Sequence, residues 1–118
     1  MKIKLNDKPR IFYPKKDKKI MIKDMGEIEL MTNELITFVK PNGKRHDFVS
    51  KKWGFYSTPS INSRLKNEGF KTALVKNSKD QVYIMTVDKN ELDSFEKYCK
   101  MEKQEVLEWL DEKFKIKN

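Results

Sequence analysis

Eight residues within KKWGFYSTPSINSRLKNEGF (51–70) have the types and spacing for one kind of chemistry. Lys51 and Lys52 bring two ammonium groups. Trp53 and Tyr56 bring flat rings that can stack on a base or a sugar. Ser57, Thr58 and Ser60 add hydroxyl donors. Arg64 follows Ser60 at a four-residue spacing, so a guanidinium and a hydroxyl share one face if the segment is helical. A helix starting at Pro59 would also offer an anion its free backbone N–H groups and the positive end of its dipole. Together these are the parts of a site for a phosphate attached to a ring. The same residues also have a purely structural reading. Thr-Pro is ordinary punctuation for a helix start. Trp53 and Phe55, two apart in extended chain, would share a face that can fill a core.

Other reactive residues are sparse. His46 is the only histidine, and it stands beside Asp47 just after a turn. Adjacent strand residues point to opposite faces, so a histidine base oriented by Asp47 is not expected there. An exposed strand histidine is the expectation instead. Cys99, the only cysteine, falls on the apolar side of a helical pattern and reads as packing. One cysteine excludes an intrachain disulfide, and no Cys/His spacing suggests zinc. The chain carries no GxGxxG, Walker or GxSxG signature. Carboxylates concentrate in ELDSFE and EVLEWLDEK, where they alternate with apolar positions as a solvated helix face does. No catalytic residue, metal or cofactor is expected.

The elements that must position these groups are mostly strands. GEIELM (26–31) alternates, with Ile28 and Leu30 opposite Glu27 and Glu29. KKIMIK (18–23) precedes it as another strand. ELITFVK (34–40) is apolar on both faces, as a central strand covered on both sides would be. Asn42-Gly43 suits a tight hairpin turn into 45–50. A helix is expected over 59–68, with Thr58 as N-cap, Gly69 as the left-handed C′ residue, and Phe70 packed on Leu65. A second hairpin follows, KTALVKN (71–77) with QVYIMTVD (81–88). Asp88 and Glu91 mark the start of a helical region. Its stripe of Leu92, Phe95 and Cys99 fails near 100–103 and resumes at Val106, Trp109, Leu110 and Phe114. That predicts two C-terminal helices or one bent one. The expected fold is α+β: an antiparallel sheet of five or six strands, one short crossover helix, and C-terminal helices packed on one face.

At 118 residues the chain reads as a single domain, 1–118, with 1–19 as a loosely held basic arm that includes an edge strand at 10–13. No apolar run approaches the ~20 residues of a membrane span. No apolar signal core opens the chain, so the cytoplasm is the expected location and membrane insertion is not. The net charge of +8 is unevenly spread, with +7 over residues 1–23, −4 over 24–39, +8 over 40–79 and −3 over 80–118. Such asymmetry attracts phosphate-bearing partners.

Residues 53–77, WGFYSTPSINSRLKNEGFKTALVKN, resemble small bacterial proteins whose genes lie among surface-glycan biosynthesis genes. Those proteins share a Trp-Gly-aromatic-Tyr, Thr-Pro-Ser, Asn-x-Arg-Leu and Gly-Phe sequence. The resemblance implies an accessory role near nucleotide-sugar or glycan assembly, and it transfers no catalytic residue. Two functions follow as expectations. The first is a non-catalytic binding or accessory protein for an anionic ligand: a nucleotide sugar, a glycan precursor or a nucleic acid. The alternative is a protein–protein or homo-oligomerising module acting through its acidic C-terminal helices or a sheet edge.

Overall fold

The computed structural model describes residues 1–117. Over these residues the fold is α+β, with eight strands in three small antiparallel sheets and little helix. It divides into two compact units, 1–36 with 48–56, and 37–47 with 57–117. The middle sheet has strand order β3-β4-β5, with β3 at Leu35–Val39, β4 at Arg45–Lys51 and β5 at Gly54–Ser57. These three strands run from one unit into the other.

The first unit holds a two-stranded ribbon, β1 (Lys2–Phe12) against β2 (Ile22–Glu29). Within the segment 1–19, expected as a loose basic arm with an edge strand at 10–13, the strand is longer than expected: residues 2–12 pair along β2. Alternation explains this: Ile3 pairs with Ile28 on one side of the ribbon, while Lys2 faces Glu29 and Lys4 faces Glu27. Opposite charges directly across strands are favourable. The register shifts between Leu5 and Arg10, so residues 6–9 of β1 bulge opposite Met25. Asp24 bridges that gap, with its carbonyl accepting from Asn6 Nδ2 at 2.9 Å and its carboxylate 3.3 Å from Arg10 Nη2. Gly26 has φ +135°, and a Cβ there would collide with the Lys4 carbonyl. This one glycine lets the two expected strands 18–23 and 26–31 merge into a single β2.

In the second unit, β6 (Phe70–Lys76) lies between β7 (Val82–Asp88) and β8 (Glu105–Trp109). The doubly covered central strand is β6, not 35–39. Phe70 and Thr72 on one face and Ala73 and Val75 on the other are all buried. On β3, Leu35, Phe38 and Val39 are exposed, as suits the edge position it occupies.

The expected Asn42-Gly43 hairpin is present, with Lys40 N–H donating to Lys44 O and Gly43 N–H to Lys40 O, both at 2.8 Å. Asp88 caps the helical region, accepting from Asn90 N–H at 2.9 Å, and α2 runs Leu92–Met101.

The sequence beyond α2 folds differently from expectation. Val106 and Trp109 belong to strand β8, paired to Val75 and Ala73. The register shift between Leu74 and Val75 adds one residue on β8, so two same-side positions fall three apart and imitate a helical stripe. Only a short α3 (Leu110–Lys113) follows. The expected five- or six-stranded sheet is thus three smaller sheets, and the second half of the expected C-terminal helical region, whether a separate helix or the far arm of a bent one, is mostly strand.

Candidate functional site

The eight expected site residues divide between the two units. Lys51, Lys52, Trp53 and Tyr56 lie in the first, and Ser57, Thr58, Ser60 and Arg64 in the second.

In the first unit, Lys52 and Trp53 form the two-residue turn between β4 and β5. Trp53 stands at its tip and is 71 % exposed, while Phe55 is 69 % and Tyr56 42 % exposed. Filling a core is therefore not what these rings do. The turn also changes which rings meet: Trp53 stacks on Tyr56, with centroids 5.7 Å apart and planes 22° from parallel. Offset stacking of this kind holds an indole in place without burying it. Lys51 is half-buried and donates to Asn33 Oδ1 at 2.8 Å. Lys52 is exposed and has no ion pair among the described residues. This turn thus presents a fixed, open aromatic pair and an open cation.

The second group is closed on itself. The helix over this stretch, α1, covers only Arg64–Asn67. The expected start at Pro59, with Thr58 as its cap, is replaced by a turn over 60–63 above a buried Pro59. Ser60 organises that turn: its hydroxyl accepts from Arg64 N–H at 3.0 Å and its carbonyl from Leu65 N–H at 2.9 Å. Gly69 does take a left-handed conformation, φ +94°, at the C-terminal end. Thr58 N–H donates to Asp47 O at 3.0 Å. Arg64 Nη2 reaches Asp47 Oδ2 at 3.1 Å and Thr58 Oγ1 at 3.2 Å. The Thr37 hydroxyl and then Arg64 hold the Asp47 carboxyl below its usual value. A one-turn helix with its first donors spent internally provides no dipole-backed anion cradle. Arg64 keeps 51 % of its side chain exposed, so part of its donor fork remains open.

Ser57 Oγ lies 3.0 Å from His46 Nε2. His46 is half-buried rather than exposed, its ring tilted against Phe70 with centroids 6.4 Å apart. Burial pulls its pKa below the ordinary 6.5, outweighing the nearby carboxylates. A serine–histidine contact is half of a nucleophile–base arrangement. The neighbouring carboxylate, Asp47, is engaged by Arg64 and Thr37.

Sequence reading missed two features here. The first is a pocket of about 200 Å³ walled by Phe38, Val39, His46 and Phe70 and rimmed by Lys40 and Arg45. Its signal was the cluster of cations around the Asn-Gly turn, KPNGKR. The second is Asp111, expected on a solvated helix face but 1 % exposed, where its carboxylate accepts from Thr72 N–H at 2.9 Å. Cys99 is buried as expected, and burial, with Glu96 nearby, pushes its thiol pKa up, away from a nucleophile's range. Among the described residues no cluster of three or more His, Cys, Asp or Glu could hold a metal ion. No helix among them is long and apolar enough to cross a membrane.

What fold and surface define together is a small basic α+β chain that displays an aromatic turn. Family models, curated proteins and solved structures contain no match to it.

Proposed function

We propose that this chain is a non-catalytic binding protein for an anionic ligand that carries a planar ring: a nucleotide, alone, in a nucleotide sugar or within a nucleic-acid strand. The observation that carries the reading is the exposed Trp53–Tyr56 stack beside Lys51 and Lys52. A tryptophan open over 71 % of its surface does little for the core. Stacking on a base, by contrast, is worth about 1–3 kcal/mol per ring. The net charge of +8 favours encounter with phosphates. The resemblance of residues 53–77 to proteins encoded near surface-glycan genes makes a nucleotide sugar the first ligand to try. A nucleotide-bearing ligand also fits the expected cytoplasmic location.

The test is a titration of intrinsic tryptophan fluorescence with a uridine nucleotide sugar and, separately, with a short oligothymidylate. Quenching is expected, and Trp53→Ala should weaken binding by roughly 5- to 100-fold. The same change should cost the fold about 1 kcal/mol or less, because so little surface is buried. Oligonucleotide binding should fall with salt by about 0.7 log units per log unit for each phosphate contacted. Unchanged fluorescence with both ligands at low salt would refute the reading.

A further inference from the structure

We infer that β2 is a self-association edge and that its occupant is the β2 strand of a second copy of this chain, paired antiparallel about a two-fold axis at Met25. The inference is independent of the ligand reading. The ribbon has two strands, so each strand has one side with no sheet partner among the described residues. An isolated two-stranded ribbon is marginal in water and gains from further strands.

The two free edges differ in what they could pair with. β1 carries Lys2, Lys4, Lys8 and Arg10 with Pro9 among them, and its regular pairing is interrupted between Leu5 and Arg10. Lysines and a proline are what protects a strand edge from pairing. On β2 the sequence IKDMGEIE is complementary to its own reverse. With Met25 opposite Met25 of the second copy, Lys23 faces Glu27, Ile22 faces Ile28, and Asp24 faces Gly26, which has no side chain to clash. By symmetry each of these pairs occurs twice.

Neighbouring registers lose this match. A shift by one pairs Asp24 with Glu27 in one direction and Ile22 with Glu27 in the other. A shift by two, in either direction, pairs Asp24 with itself or with Ile28. The side chains that would meet are open: Ile22 is 41 %, Met25 56 % and Ile28 42 % exposed. Ile22 and Ile28 would extend the apolar side that Ile3 shares with Ile28 in each ribbon. The β1 bulge at residues 6–9 lies on the other side of β2 and leaves this edge clear. The product is a four-stranded sheet with β1 strands outermost, so its outer edges are the protected ones.

The experiment is sedimentation equilibrium on the full chain and on three charge variants, with circular dichroism to check folding. The wild type should show a concentration-dependent monomer–dimer equilibrium. Lys23→Glu, and separately Glu27→Lys, should each weaken dimerisation by roughly 10- to 30-fold, because two symmetric pairs turn repulsive. The double variant should recover most of the loss. Met25→Cys should form a disulfide-linked dimer under mild oxidation while Glu29→Cys does not; this measurement stands even if a charge variant misfolds. A wild type that stays monomeric to about 1 mM would overturn the inference. So would a dimer indifferent to Lys23→Glu, a double variant without recovery, or equal cross-linking at positions 25 and 29.

Discussion

Asp111 should prove the keystone of the second unit, and its two carboxylate oxygens allow the prediction to be worked out separately. Oδ1 accepts from Thr72 N–H at 2.9 Å in the middle of β6, and Oδ2 lies 3.3 Å from Lys71 Nζ. The end of β8 shows why a side chain is needed: its pairing to β6 stops at Trp109 opposite Ala73, one residue short of Thr72. Asp111→Ala leaves the buried Thr72 N–H without its acceptor, which costs about 1–3 kcal/mol. It also removes one partner of Lys71. Breaking a fully buried ion pair costs about 3–5 kcal/mol, but that is an upper bound here. Lys71 is 20 % exposed and keeps Glu112 Oε1 at 2.7 Å. The two losses together come to about 3 kcal/mol, or a fall in Tm on the order of 10 °C. Asp111→Asn retains an oxygen for Thr72 and loses only the charge, so about 1–2 kcal/mol is expected. Urea unfolding followed by far-ultraviolet circular dichroism measures both, with an unchanged m-value expected. If Asp111→Ala lies within about 1 kcal/mol of wild type, the reasoning about the buried N–H fails. If Asn is as damaging as Ala, the ion pair rather than the hydrogen bond is what matters.

Two further predictions follow from groups in the frame. Gly26→Ala, at φ +135° and against the Lys4 carbonyl, should destabilise the β1–β2 ribbon by about 2 kcal/mol or more and speed amide exchange there while sparing β6. His46 has a folded pKa below its ordinary 6.5, so the unfolded chain binds the proton more readily. Its stabilising contribution is fully present above pH 6.5 and is lost as pH falls through the folded value. Urea melts of wild type and His46→Gln between pH 7.5 and pH 5 should converge as the pH drops; parallel curves would count against a buried neutral ring.

The parts of this fold legible in the sequence are those set within a few residues. The Asn42-Gly43 hairpin, the Asp88 cap, the end of α2 and the left-handed Gly69 all came from local chemistry, and all are present. The misread parts depend on distant partners. Val106 and Trp109 look helical because a bulge on β8 spaces two same-side residues three apart. That bulge is defined by pairing to β6, some thirty residues earlier in the chain. The 59–68 segment carried real capping signals, but a turn satisfies the same signals. Ser60 uses its hydroxyl and carbonyl to hold the start of a one-turn helix, and the chain spends no more residues on helix before Gly69. Short helices are costly to nucleate, so tertiary packing rather than caps decides their length.

The same distinction orders the candidate site. Residue types alone could not separate groups that hold the fold together from groups left for a partner, because a lysine or a hydroxyl serves either purpose. The structure separates them by what each touches. Ser57, Thr58 and Ser60 each have an intrachain partner, and Arg64 is tied to Asp47 and Thr58. Lys44 is likewise taken by Asp88, and Lys71 by Asp111 and Glu112. Part of the middle segment's +8 is therefore already paired with carboxylates from the last third of the chain. Of the candidate residues, Lys52 and the Trp53–Tyr56 stack remain, because the two-residue turn carries Lys52 and Trp53 past the strand ends while the indole stacks on Tyr56 of β5. A rigid ring pair loses little entropy on meeting a ligand, since the stack already restricts it. On the proposed ligand reading, Trp53 rather than the more numerous lysines should therefore govern affinity, while the lysines govern how steeply that affinity falls with salt.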